Sequence, residues 1–230
     1  TTILIAVPTG VKVFNWVATM WQGSISFEVP MLFAIAFVIL FTIGGFSGLM
    51  LGVTPVDFQY HDTYFVVAHF HYVMAGTMFV FVGALHLWWP KITGRMYSEF
   101  WGRIGCFLVF VGFNLTFFIQ FLLGAHGMPR RYFDYQQVFW KWHLISSLGS
   151  YVMLIGFFVV AAYLIHSLFR GRPAPANPWG GNSLEWHCGS PPPHNNFEHP
   201  PLAADPYDYT DIRYDPEIGG YVSDREERSI

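Results

Sequence analysis

Five long apolar runs strongly limit the folds that this chain can adopt. They lie near residues 3–21, 30–53, 63–89, 101–123 and 144–169. Each approaches or exceeds the ~20 apolar residues that an α-helix needs to cross the hydrocarbon core of a bilayer. Only 12% of the residues are charged and 53% are hydrophobic, which is too apolar for an ordinary soluble domain. The sequence therefore predicts an all-α membrane protein with five transmembrane helices in residues 1–170, a lipid membrane as surroundings and no nucleic-acid partner.

The composition changes at residue 171. Residues 171–230 hold ten of the fifteen acidic residues and four of the twelve Lys and Arg, a balance of 4 − 10 = −6. This stretch is also rich in Pro, Gly and Asn, and it cannot bury enough apolar surface to fold alone. We predict an irregular acidic tail that lies over its own or a neighbouring subunit.

Basic residues in the loops predict the orientation, because Lys and Arg are concentrated on the cytoplasmic side of a membrane protein. One side of the predicted bundle has Lys91, Arg95, Arg170 and Arg172, and the other has Arg130, Arg131 and Lys141. We therefore expect the tail on the inside. His61, Asp62, the pair Arg130-Arg131 and a loop over residues 54–57 are then expected on the outside.

The third apolar run carries the triplet His69-Phe70-His71. In a helix, each residue turns ~100°, so the two histidines stand roughly 200° apart and face opposite ways. One metal bound on one face would require a spacing of three or four residues. The observed spacing suits two partners, and imidazole is a common axial ligand of haem iron. A helix of this kind could stand between two haems.

Lys12 lies near the middle of the first run, three residues after Thr9. An intramembrane ammonium should face a cavity, a partner or water rather than lipid. The spacing lets the Thr9 hydroxyl and the Lys12 ammonium share a helix face. The second run contains Gly44-Gly45-Phe46-Ser47-Gly48 and no ionisable group, so close helix packing is a sufficient explanation for it.

The string His61-Asp62-Thr63-Tyr64-Phe65-Val66-Val67-Ala68-His69-Phe70-His71-Tyr72-Val73 closely resembles the tenth transmembrane helix of subunit I of haem-copper terminal oxidases. The resemblance implies that His69 is the proximal ligand of the high-spin haem at the oxygen-reducing centre. It implies that His71 is an axial ligand of the low-spin haem, with Phe70 between the two cofactors.

Three further segments are similar to the same family. Gly127-Met128-Pro129-Arg130-Arg131-Tyr132 matches a motif whose two arginines bind haem propionates, which are carboxylates suited to a guanidinium fork. His61 and Asp62 match positions that bind magnesium together with a carboxylate of subunit II. The first run resembles the eighth family helix, which implies that Lys12 and Thr9 belong to a proton-uptake path.

The resemblance implies the C-terminal half of a twelve-helix catalytic subunit in a proton-pumping cytochrome c oxidase, which reduces O₂ to water. It implies two haems, expected to be a-type, copper B held by residues outside this chain, and magnesium at the interface of subunits I and II. Expected partners are the N-terminal half, subunit II with copper A, subunit III and cytochrome c. The tail, with Asn177-Pro178-Trp179-Gly180-Gly181, resembles the cytoplasmic tail of bacterial members, which implies a bacterial plasma membrane rather than a mitochondrial inner membrane.

A first residue inside an apolar run leads us to expect a piece of a larger subunit, or the second half of a split one, inactive by itself. Two other functions stay open from the residues. A quinol oxidase of the same family shares these motifs, and a haem-free transporter or channel could line an ion path with Lys12 and the histidines.

Overall fold

The computed structural model describes residues 2–197, 201, 205 and 207–223. The helices within these residues are α1 (Thr2–Met20), α2 (Val29–Gly52), α3 (Thr54–Tyr60), α4 (Tyr64–Thr93), α5 (Glu99–Ala125) and α6 (Trp140–Arg170). All but α3 are long and apolar enough to cross a membrane. The prediction of an all-α membrane fold with five spanning helices is therefore confirmed.

Two of these helices extend four residues beyond an end of their apolar runs. Helix α4 continues to Thr93, past Pro90, and α6 begins at Trp140, before the apolar run near residue 144. Apolarity marks only the part of a helix that suits the hydrocarbon core, whereas the helical backbone continues through aromatic and polar residues at its ends.

The expected loop over residues 54–57 is wrong, because Thr54–Tyr60 forms the short helix α3. Pro55 lies in its first turn, where the backbone N–H groups have no partner within the helix and the fixed φ of proline suits helical geometry. Asp57 also lies in this turn, and its negative charge interacts favourably with the positive end of the helix dipole.

Glycines allow α6 to approach α5 closely. A Cβ added at Gly149 would lie 2.6 Å from the backbone nitrogen of Thr116, and one at Gly156 would lie 2.8 Å from that of Val109. The two glycines are seven residues apart and share one face of α6. Small residues on such a face let helix backbones pack at short distance in a membrane.

The start of α2 is held by a side chain of α5. The Glu99 carboxylate accepts a hydrogen bond from the Val29 N–H at 3.1 Å. This N–H is one of the four at a helix start that have no partner within the helix. The contact fixes the beginning of α2, the helix that carries part of the candidate site.

The chain forms two compact units. The first consists of the residues up to Ala84 together with Glu99–Ala162, and the second of Leu85–Ser98 together with the residues from Tyr163 onward. The candidate site described below lies in the first unit. The boundary at residue 170 marks a change of composition and stays a prediction.

Within the second unit, the tail packs on the last turns of α4. The Trp179 indole donates to the Leu87 carbonyl at 2.9 Å, and the Lys91 ammonium donates to the Cys188 carbonyl at 2.5 Å. Trp186 is also buried there. The tail thus lies over its own chain, as one of the two expected arrangements.

The tail also contains regular structure, namely a short 3₁₀ helix (Leu184–Trp186) and a β-hairpin. Strand β1 (Ile212–Asp215) pairs antiparallel with strand β2 (Gly220–Ser223). The turn between them is closed by a hydrogen bond from the Gly219 N–H to the Asp215 carbonyl at 2.9 Å. Gly219 has a φ of +63°, a conformation that glycine adopts without strain. Residues 198–200, 202–204, 206 and 224–230 of the predicted tail lie outside the described residues.

Candidate functional site

The imidazole of His69 projects from α4 toward α2. Its Nδ1 lies 3.0 Å from the carbonyl oxygen of Gly44 and 3.0 Å from the hydroxyl oxygen of Ser47. With the proton on Nδ1, the ring donates to the Gly44 carbonyl, and the lone pair then resides on Nε2. A hydrogen bond of this kind fixes the tautomer and orientation of a metal-binding histidine. His69 can therefore offer Nε2 to a metal.

The stretch from Gly44 to Gly48 on α2 makes room for this ring. A Cβ at Gly48 would lie 2.8 Å from Cε1 of His69, and a Cβ at Gly44 would lie 3.0 Å from the backbone of Tyr72. The sequence interpretation of this stretch as packing alone missed its contact with His69. The i, i+3 and i+4 spacing places Gly44, Ser47 and Gly48 on one helix face, which indicates close approach of a neighbouring helix but not the side chain that this helix presents.

The imidazole of His71 has different neighbours. Its Nδ1 lies 2.8 Å from the carbonyl oxygen of Val67, one turn earlier in α4, so its Nε2 is also available. The ring stacks on Phe117 of α5, with centroids 4.1 Å apart and an angle of 16° between the planes. Phe70 lies against the same ring at 4.4 Å. His69 thus contacts α2 and His71 contacts α5, as the helical spacing predicts.

A cavity of about 270 Å³ lies on the His71 side of α4. Its lining residues are Tyr64, Val67, Phe70, Arg130 and Arg131. Val67 is one helical turn before His71, so the cavity continues along the face that presents this imidazole. Its walls combine apolar side chains with two guanidinium groups. The cavity therefore suits a ligand that has an apolar body and carboxylate groups.

Backbone pairing between two loops brings the arginines to this place. The Tyr64 N–H donates to the Met128 carbonyl at 3.0 Å, and the Arg130 N–H donates to the Asp62 carbonyl at 2.9 Å. Thr63 and Pro129 form an antiparallel bridge between these bonds. The sequence predicts that the two segments lie on the same side of the membrane, and the structure shows that they are in direct contact.

Asp62 and Arg130 form an ion pair. The Arg130 Nη2 and Nε lie 2.6 Å and 2.8 Å from Oδ1 of Asp62. These hydrogen bonds lower the pKa of the Asp62 carboxyl below its ordinary value. The pair is therefore present at neutral pH, and its contribution is lost only as the pH falls through the lowered pKa. Asp62 and Arg131 have φ angles of +55° and +64°, which are unusual for residues other than glycine and often accompany a functional site.

His61 and Asp62 lie next to each other, as a shared metal would require. The His61 Nε2 is 3.3 Å from Oδ2 of Asp62, and the His61 Nδ1 is 3.8 Å from the carboxylate of Asp57. Among the described residues, however, no group of three His, Cys, Asp or Glu side chains is placed to hold a metal ion. The magnesium site thus stays a prediction that depends on ligands from outside this chain.

Lys12 and Thr9 lie on α1. The Thr9 hydroxyl donates to the Ile5 carbonyl at 2.9 Å, so its proton is directed at its own helix rather than at Lys12. Lys12 is exposed and lies one turn before Trp16. The Trp16 ring packs on Phe37 of α2, with centroids 5.1 Å apart. The proton-path role of Lys12 stays a prediction.

A family model described as cytochrome c and quinol oxidase polypeptide I matches residues 1–152. The cytochrome c oxidase subunit 1 of Cereibacter sphaeroides is 46% identical over 208 residues, which are 89% of this chain and 37% of that protein. The subunit of the same name from Bacillus sp. strain PS3 is 48% identical over 87% of this chain and 33% of its own length. The chain spans about a third of the length of these relatives.

A solved heme-copper terminal oxidase dimer is similar in structure, with a TM-score of 0.57. The similarity covers 64% of this chain and 28% of that chain at 22% sequence identity. At this identity, the likeness concerns the fold alone.

Proposed function

The chain belongs to the cytochrome c and quinol oxidase polypeptide I family, and on that premise we propose that it is the C-terminal part of the catalytic subunit of a proton-pumping cytochrome c oxidase, which reduces O₂ to water. The observation that carries this proposal is the pair of imidazoles on α4. The Nδ1 of each ring lies within hydrogen-bond distance of a backbone carbonyl, and His69 contacts α2 whereas His71 contacts α5. Family membership supports an oxidase over a haem-free transporter.

In this proposal, His69 would bind the iron of the high-spin haem, His71 would bind the iron of the low-spin haem, and Phe70 would separate the two cofactors. When bound, the haems supply the irons that carry electrons, and copper B, held outside this chain, completes the oxygen-reducing centre. The chain's own residues hold and orient these groups. The carbonyls of Gly44 and Val67 fix the two imidazole rings with Nε2 available.

Arg130 and Arg131 would bind haem propionates from the cavity on the His71 side. Both arginines line this cavity. Arg130 is also paired with Asp62, and Arg131 has a positive φ. His61 and the second oxygen of Asp62 would contribute to a magnesium site at the interface of subunits I and II. We further propose that the haems are a-type.

The proposed environment is the plasma membrane of a bacterium, with the tail on the inside. The N-terminal half of subunit I, subunit II with copper A and subunit III complete the complex. Lys12 and Thr9 would carry protons from the inside toward the oxygen site. The relatives at 46% and 48% identity are named cytochrome c oxidases, which supports cytochrome c rather than quinol as the electron donor.

A reduced-minus-oxidised optical spectrum of the assembled complex tests the proposal. Bands of one low-spin and one high-spin haem are expected, together with oxygen consumption driven by reduced cytochrome c. A complex without haem bands would rule out the oxidase and favour a transporter. Oxygen consumption with a quinol, but not with cytochrome c, would identify the quinol oxidase instead.

Substitution of Gly48 by alanine should displace the imidazole of His69. The added Cβ would lie 2.8 Å from Cε1 of the ring, so the ring must move, and its Nε2 with it. We expect a lower content of high-spin haem, measured by the CO-difference spectrum of purified complex. Gly45→Ala is the matched control, since a Cβ at Gly45 has nothing within 4 Å. Equal high-spin haem in both variants would contradict the expected displacement.

A further inference from the structure

The hydroxyl of Ser47 lies within hydrogen-bond distance of both the His69 ring and the Gly44 carbonyl to which this ring donates. We propose that Ser47 is a positioning residue that sets the strength of the hydrogen bond from His69 to Gly44, and thereby the electron density that Nε2 of His69 offers to a haem iron. This inference rests on the proposed role of His69. It assigns a function to a residue for which helix packing was a sufficient explanation in the sequence.

Three polar atoms form a closed triangle at this position. The Ser47 hydroxyl donates to the Gly44 carbonyl at 2.8 Å. The His69 Nδ1 is 3.0 Å from the same carbonyl and 3.0 Å from the Ser47 hydroxyl oxygen. The Ser47 hydroxyl and the His69 N–H therefore both donate to the Gly44 carbonyl. The His69 N–H also has a second acceptor, the hydroxyl oxygen of Ser47. The bond to the carbonyl is weaker than an undivided bond would be.

The hydroxyl has little freedom to leave this arrangement. Ser47 is 5% exposed, so water cannot readily replace either partner. Gly44, Ser47 and Gly48 lie on one face of α2, through the spacing of three and four residues. Gly48 brings the backbone of α2 against the ring and keeps the hydroxyl in reach of Nδ1. Hydrogen bonds in such a dry environment are stronger than in water, and their changes have larger effects.

His71 provides an internal comparison. Its Nδ1 bonds to the Val67 carbonyl of its own helix at 2.8 Å. The hydroxyl of Ser47 is on the other side of α4, at His69, so a change at Ser47 should affect one haem only. A general disturbance of the fold would be expected to affect both.

The test is Ser47→Ala in the assembled complex. Without the hydroxyl, the His69 N–H and the Gly44 carbonyl pair exclusively, so the ring becomes more basic and binds iron more strongly. We expect the iron–histidine stretching frequency of the reduced high-spin haem, measured by resonance Raman spectroscopy, to shift upward. The bands of the low-spin haem should not move. Ser150→Ala, which removes a hydroxyl that donates to the Ser147 carbonyl within α6 at 2.7 Å, should shift neither.

Ser47→Cys is the second variant, because a thiol of similar size is a much weaker donor. Its stretching frequency should lie between those of the parent and Ser47→Ala, and it decides the matter if the alanine variant does not load the high-spin haem. An unchanged or lowered frequency in variants that retain this haem would overturn the role of Ser47. A parent complex without any high-spin haem would overturn the proposed function instead.

Discussion

His69→Ala is expected to remove the high-spin haem from the assembled complex and to retain the low-spin haem, whereas His71→Ala is expected to do the opposite. Each change deletes a proposed axial ligand, and the two imidazoles contact different helices. Loss of a residue that hydrogen-bonds to a metal ligand already costs ~10–100-fold in metal affinity or activity, so loss of the ligand itself should cost more. Reduced-minus-oxidised and CO-difference spectra of purified complex measure the two haems separately.

His166→Ala is the control for both variants. His166 is an exposed histidine on α6, in the second compact unit, and its loss should change neither haem. If His69→Ala and His71→Ala removed the same haem, the assignment of one imidazole to each haem would be wrong. Retention of both haems in either variant would exclude that histidine as an essential ligand.

The opposite faces of His69 and His71 could be predicted from the sequence because the turn per residue of an α-helix is nearly constant. The same holds for the five spanning helices, since the thickness of the bilayer fixes the number of apolar residues required. Both predictions depend on one helix at a time. Neither requires knowledge of which helices are neighbours in space.

The ion pair of Asp62 and Arg130 could be predicted only in part. The positions of the two loops in the chain place both residues at one end of the predicted bundle, but they are 68 residues apart in sequence. Their contact depends on the backbone bridge between Thr63 and Pro129. No periodic pattern in the sequence encodes a bridge of this kind.

Ser47 could not be identified from the sequence. Small residues in a membrane helix follow the same sequence pattern whether they only pack against a neighbouring helix or also hydrogen-bond to one of its side chains. Glycine and serine at helical spacing predict close approach of a neighbouring helix. They do not indicate which helix approaches or which side chain it presents. The structure identifies the neighbour as α4 and the side chain as His69.

Lys12→Met should slow reduction of the high-spin haem strongly while leaving reduction of the low-spin haem unaffected. In the proposed function, Lys12 would deliver protons toward the oxygen site, and methionine has a similar length but no transferable proton. A positioned group that transfers protons typically contributes about 10²–10⁴-fold to a rate, so we expect a decrease of about a hundredfold or more. Rapid-mixing absorption spectroscopy with reduced cytochrome c follows the two haems at separate wavelengths.

Two matched variants separate a proton path from a general effect on the protein. Lys141→Met removes an exposed ammonium at the start of α6 and should leave both rates unchanged. Thr19→Val removes a hydroxyl bonded within α1 at 2.8 Å, and Thr9→Val removes one bonded in the same way at 2.9 Å. Because the local bonds are alike, a slower rate in Thr9→Val alone would reflect its position near Lys12. Unaltered reduction of the high-spin haem in fully loaded Lys12→Met would exclude Lys12 from proton delivery.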